Sequence, residues 1–213
     1  MTILTLPAAP GFTDTRFGLR SNTQTDLTSP ITQSSQVLEM QGARWAASYV
    51  LPPMGREQAA LWQAFLVALR GRAGRFHGYD PDARTARGTA RLKPAGALTV
   101  LAVSPEPSGN SLEIAGTDPM EAGVFLTGDY LAYDVGAEGR QLHMVTTDAL
   151  AADSSGIVTV TIEPPIRTAP AGGAEIIVTD PSCAMRLVED DVGWDASRIS
   201  RFGIRFEAIE VFA

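Results

Sequence analysis

Residues 59–81 read AALWQAFLVALRGRAGRFHGYDP, and this stretch decides the fold. Leu61, Trp62, Phe65, Leu66 and Leu69 recur at intervals of three and four residues, which places them on one face of an amphipathic helix of period 3.6. Glu57 precedes the stripe, where a carboxylate complements the positive end of a helix, and Gly71 and Gly74 end it. The spacing predicts a helix over residues 57–70. Phe76, Gly78 and Tyr79 then lead into the turn pair Asp80-Pro81, the pattern of a helix laid across a sheet.

Upstream of the helix, two strand-like segments occupy residues 36–51. In the second, Trp45, Ala47, Tyr49 and Leu51 alternate with Arg44, Ser48 and Val50, as in a half-buried strand. Pro52-Pro53 stops it, because proline donates nothing to a ladder. Downstream, residues 82–96 lose periodicity and read as a linker, with a boundary near Lys93. Short strands divided by turn signals follow over 98–103, 111–115, 129–134, 140–145, 157–162 and 174–178. Val158, Val160 and Ile162 alternate with Thr159 and Thr161. Five or six such strands predict a small β-barrel.

The last thirty residues change again, with a strand at 184–188 and a turn at 189–193. Phe202, Ile204, Phe206 and Ala208 alternate with Arg201, Arg205 and Glu207, after which Ile209 and Val211 break the phase and predict a β-bulge near Ala208. So apolar a strand must be buried, and its natural partners are the strands that carry Trp45 and Tyr49. The expected fold is mainly β with one α-helix: a β-sandwich over 1–92 and 181–213, into which a small β-barrel over 93–180 is inserted.

Composition narrows the function. The 213 residues can bury a full core, and 20 Gly and 14 Pro suit a chain that turns often. A net charge of −7, from 17 Lys and Arg against 24 Asp and Glu, repels phosphate backbones and anionic lipid. The lone Cys183 forms no intrachain disulfide, and no apolar run approaches the roughly 20 residues that span a bilayer. The start, MTILTLPAAPGF, lacks a basic n-region and reads as an arm or first strand.

No catalytic, cofactor or metal site is expected. His77 and His143 are the only histidines, in different predicted domains and without partners at ligand spacing. Glu189, Asp190 and Asp191, with Asp180 or Asp195, are the densest carboxylates, but their spacing is unlike a calcium loop and fits a solvated turn. Ser154-Ser155-Gly156 reads as a turn without a nucleophile motif. The glycines of 71–75 follow a helix instead of preceding one, so they make no phosphate loop; Arg70, Arg72 and Arg75 are expected to complement the helix end and pair with a partner surface. Trp45, Trp62, Phe65, Phe76 and Tyr79 are read as packing between helix and sheet, with a ligand groove as the alternative.

The order of strand, strand with Trp45, helix ending in LRGRAGRF and aromatic strand resembles the N-terminal region of tailed-phage distal tail proteins and related minor tail proteins. LTGDYLAY at 126–133, LHMVTTD at 142–148, GIVTVTIEPPIR at 156–167 and PAGGAEII at 170–177 look like a siphophage and prophage tail-protein family. The resemblance runs from about residue 36 onward, and the first thirty residues match nothing in it. It implies a non-enzymatic virion protein, a hexameric ring at the tip of a long non-contractile tail. The implied subunit has a belt-type sandwich with one helix and an outward β domain. Its implied partners are further copies of itself, the tail tube protein and a baseplate hub or tail fibre protein, with DNA only in passage and no membrane. Such a virion would be assembled in the bacterial host cytoplasm. A carbohydrate- or receptor-binding tail module is the alternative.

Overall fold

The computed structural model describes residues 3–28, 31–33, 35–39, 42–104, 109–136, 139–148, 151–196 and 201–212. β1 (Ile3–Thr5), β2 (Asp14–Arg20), β3 (Thr23–Thr28), β4 (Ser35–Glu39) and β5 (Arg44–Val50) precede α1 (Arg56–Leu69). β6 (Arg75–Gly78), β7 (Thr99–Ser104), β8 (Ser111–Ala115), β9 (Tyr130–Asp134), β10 (Arg140–Val145) and β11 (Ile157–Glu163) follow. β12 (Cys183–Leu187), β13 (Asp195–Ala196), β14 (Phe202–Gly203) and β15 (Arg205–Glu210) complete the order. The fold is mainly β, and α1 is the one α-helix among the described residues.

Six strands form the first sheet, in the order β1-β6-β12-β15-β5-β2. Its strands come from both ends of the chain. β5 is central: β2 pairs with it from Asp14↔Val50 to Arg20↔Arg44, and β15 pairs with its other side from Arg205↔Val50 to Ile209↔Ala46. Strand alternation then sends Trp45, Ala47, Tyr49, Phe206 and Ala208 to one buried face. β2 falls in the stretch that the resemblance leaves unmatched. The apolar start at Ile3–Thr5 joins the far edge, parallel to β6.

α1 covers half of the buried face with Ala59, Trp62, Phe65, Leu66 and Leu69. Leu61, expected in this stripe, is 60% exposed, and the smaller Ala59 takes the inward position. Trp62 meets the Phe206 ring at 6.1 Å, and Phe65 meets Phe76 edge-on at 5.6 Å, geometry that adds about 0.5–1.5 kcal/mol per pair beyond area burial. The β9–β10 hairpin covers the other half, through Tyr130, Ala132 and Leu142. Its opposite face sends Leu131, Tyr133 and Val145 into a second core with Val158, Val160 and Ile162. Both faces of one hairpin are therefore buried, and the two cores share a wall.

The second sheet runs β7-β8-β11-β10-β9 and is open, not the closed barrel expected. Residues 174–178, expected as a strand, span its two edges instead. Ala174 O and Leu98 O tie the segment to β7's end of the sheet, through Val100 N at 2.9 Å and Ile176 N at 2.9 Å, while Ile177 exchanges both backbone bonds with Ala132 of β9. A segment whose successive residues bond to different strands makes isolated bridges, not a ladder.

The linker expected over 82–96 is also packed. Asp180 N donates to Arg84 O at 2.6 Å and Ala86 N to Val178 O at 3.2 Å, while the Arg84 and Asp180 side chains pair at 2.7 Å. The chain's passages into and out of the second sheet are thus zipped together. Ala86 and Ala90 lie in the second core, upstream of the expected boundary at Lys93. Tyr49 fixes the approach: its hydroxyl donates to Tyr79 O at 2.7 Å.

The bulge expected near Ala208 is absent. β15 keeps an unbroken register with β5 through Ile209, so the inward sequence is Phe206, Ala208, Glu210 and a carboxylate enters the core.

Candidate interaction surfaces

The corner after α1 is built from backbone geometry. Arg70 takes the left-handed conformation at φ 52 and Gly71 follows at φ 64, so the turn begins one residue before the glycine that was expected to make it. A Cβ on Gly71 would stand 2.7 Å from Asp190 Oδ1, so glycine is required for contact as well as for φ. Asp190 accepts from Arg72 N at 2.9 Å and from the Arg72 guanidinium at 2.6 Å. Arg72, expected to reach a partner, is held within its own chain, and this pairing keeps the Asp190 carboxyl below its usual range. Glu189 and Asp191 remain exposed on either side.

The expected chemistry-bearing residues are not brought together. His143 is fully buried, with Nδ1 2.7 Å from Pro164 O and Nε2 3.0 Å from the Tyr133 hydroxyl, and burial lowers its pKa to about 3. A carbonyl only accepts, so Nδ1 carries the proton and Nε2 accepts from Tyr133. His77 is half-buried on β6, and desolvation first, then Arg140, lowers its pKa. Burial pushes the Cys183 thiol well above its usual value. Asp180 is engaged by Arg84, and among the described residues no three His, Cys, Asp or Glu side chains group as a metal site. Ser155 N and Ile157 N both bond Asp153 Oδ1, which makes 153–157 a self-capped turn. Trp45, Trp62, Phe65 and Phe76 are at most 8% exposed, so they pack the core and line no groove.

Two buried carboxylates were missed. Glu210 accepts from Trp45 N at 3.0 Å and from the Arg167 guanidinium, which also donates to Ala43 O and lies 3.6 Å from the centre of the Phe212 ring. This cluster ties the segment after β11 to the C-terminal strand. Burial raises the Glu210 pKa, with Arg167 opposing. Asp129, 3% exposed in the Gly128-Asp129 turn, accepts from Arg87 N, Gly88 N and Leu126 N between 2.9 and 3.2 Å. The first signal was legible as a glutamate at an inward position of an apolar strand; the second was not, since two of its three backbone donors, Arg87 and Gly88, lie 42 and 41 residues away.

The surfaces left over are broad. The face of the first sheet opposite α1 carries Asp14, Arg16, Arg20, Arg44, Arg205 and Glu207 over a floor of Gly18, Ala46 and Ser48. β1 and β2 are the sheet's edges. No helix among the described residues is long and apolar enough to cross a membrane. No protein-family model matches the chain, and no curated protein matches it.

Proposed function

We propose that this protein is a structural subunit of a phage tail: a distal tail ring at the tip of a long non-contractile tail, joining tail tube to baseplate hub around a channel for DNA. The observation that carries this reading is the distribution of finished and unfinished surface. Among the described residues, Trp45, Trp62, Phe65, Phe76, His143, Asp129 and Glu210 are spent on internal packing, while the outer face of β2 and β5 and the free edges of β1 and β2 pair with no other strand. Edge strands with free backbone groups pair readily with another chain, and a ring needs two different complementary faces on each subunit. The wall shared by the two cores makes the subunit stiff enough to hold such a geometry. The sequence pattern that resembles distal tail proteins adds the biological setting: a virion tail tip, with the tube protein and a hub or fibre protein as neighbours.

The alternative, a sugar-binding module, requires exposed aromatic rings on the second sheet. Phe125, Tyr130 and Tyr133 are instead buried there. Electron microscopy and native mass spectrometry of the purified full chain test the proposal. A closed ring with an axial channel is expected; a stable monomer that binds glycans would sink it.

A further inference from the structure

Arg72, Arg84, Arg87, Arg140 and Arg167 each meet a carboxylate within 3.2 Å. Arg20 and Arg44 meet none at ion-pair distance among the described residues, although they stand directly opposite each other at the end of the β2 and β5 pair. The Glu210 carboxylate feels the charge of Arg44, but its oxygens are taken by Arg167 and Trp45 N. Like charges directly opposite on paired strands repel, and a chain with 24 carboxylates against 17 cations does not leave them so for want of acid.

The pair opens into a concavity. Arg20, Ser21, Asn22, Gly42, Arg44 and Ile209 line about 340 Å³ where the chain leaves β2 and returns to β5. Gly42, at φ 118, carries the returning backbone close past Asn22, and a Cβ there would stand 3.3 Å from Asn22 Nδ2. The exposed Ser21 hydroxyl has no partner among the described residues.

Arg44 is braced from one side. Its guanidinium carbon lies 4.6 Å from the centre of the Phe212 ring. Contact with a ring engages the flat face of a guanidinium and neutralises no charge, so the N–H edge keeps its donors for an acceptor. Arg20 supplies a second fork of donors from the neighbouring strand. Donors that come from two strands and a turn suit the four oxygens of a tetrahedral oxyanion better than the two coplanar oxygens of a carboxylate.

We infer that this concavity binds a phosphoryl group, free or on a small phosphate ester, with Arg20 and Arg44 as forked donors and Ser21 as a third. The net charge of −7 does not oppose this, because repulsion from distant carboxylates is screened over about 10 Å at ordinary salt, whereas the two arginines act at contact. The site stands apart from the ring reading and survives its failure.

Nuclear magnetic resonance of the full chain tests it, with inorganic phosphate replacing chloride at constant ionic strength. The side-chain N–H resonances of Arg20 and Arg44 are expected to shift together and to saturate. Arg20→Gln, at an exposed position, is expected to weaken binding by about tenfold or more, and Ser21→Ala by less. Arg44→Lys keeps the charge, loses the fork and is expected to fall between the natural chain and Arg20→Gln. Arg16→Gln removes the same charge from an exposed position on the same sheet face outside the concavity, and is expected to leave binding nearly unchanged. Glycerol phosphate identifies the source: affinity equal to that of inorganic phosphate supports an ester as ligand, and weaker binding supports the free ion. Shifts that never saturate overturn the site. So does an Arg16→Gln loss as large as that of Arg20→Gln, or acetate bound as tightly as phosphate.

Discussion

His143 makes the stability of the second core depend on acid in a calculable way. Its imidazole is neutral in the fold, fully buried between Pro164 O and the Tyr133 ring, with a pKa lowered from 6.5 to about 3. In the unfolded chain the same ring takes up a proton below pH 6.5, so stability from this group is present above 6.5 and is lost as pH falls toward 3. Between pH 6.5 and 4 that is two and a half pH units at about 1.36 kcal/mol each, or about 3 kcal/mol. Carboxylates begin to titrate at the low end of the same range; Glu121, lowered to about 2 chiefly by its bond from Lys93, stays charged in the fold there, and its contribution is lost as pH falls from 4.5 toward 2. A comparison with His143→Asn removes them. The asparagine amide still donates to Pro164 O and carries no titrating proton. Urea unfolding at pH 7 and pH 4 is therefore expected to show the natural chain losing about 3 kcal/mol more than the variant. A difference under about 1 kcal/mol, or an imidazole resonance that titrates above pH 5 in the folded protein, would refute the reasoning.

Three further outcomes follow from buried groups. Trp62→Ala, at a position with no exposed surface, is expected to cost about 3–5 kcal/mol in urea unfolding, and Trp62→Phe much less because no described group accepts from Trp62 Nε1; a loss under about 1 kcal/mol for alanine would mean that the stripe does not hold the core. Glu210→Leu leaves Arg167 facing an apolar wall and is expected to cost about 3 kcal/mol or more, whereas adding Arg167→Leu recovers part of that loss; a double variant worse than the single one in thermal unfolding would contradict the pairing. Asp129→Asn keeps one acceptor oxygen where the carboxylate served three backbone donors, with an expected cost of about 1–3 kcal/mol. Unchanged amide exchange at Gly88 and Leu126 in that variant would count against the clamp.

What the sequence made legible is what periodicity encodes. Trp45, Ala47 and Tyr49 declared a strand face, and Trp62, Phe65 and Leu69 a helix stripe, because burial repeats along each element. Pairings between distant segments carry no such period. Ile176 bonds Leu98 while Ile177 bonds Ala132, and alternation alone cannot distinguish that bridging segment from a strand that would close a barrel. β2 hides for a related reason: Phe17 packs against the core, but Leu19 is exposed, and as an edge strand β2 keeps half its surface polar and includes Gly18.

The overturned expectations at Leu61 and at the bulge near Ala208, which would have turned Ile209 and Val211 inward, share one cause. Hydrophobicity was equated with inward, and in each case the chain departs from that rule for a purpose visible in space. Glu210 points inward because Arg167 and Trp45 N meet it there, which joins the C-terminal strand to the segment after β11. Leu61 points outward, 60% exposed, with nothing among the described residues to cover it. A buried charge with a partner is complete; an exposed leucine on a helix that has hardly any polar side is not. Leu61 and Val67 stand exposed on one side of α1, as Leu92 and Met120 do elsewhere, and assembly into the proposed ring is what would give such side chains a partner.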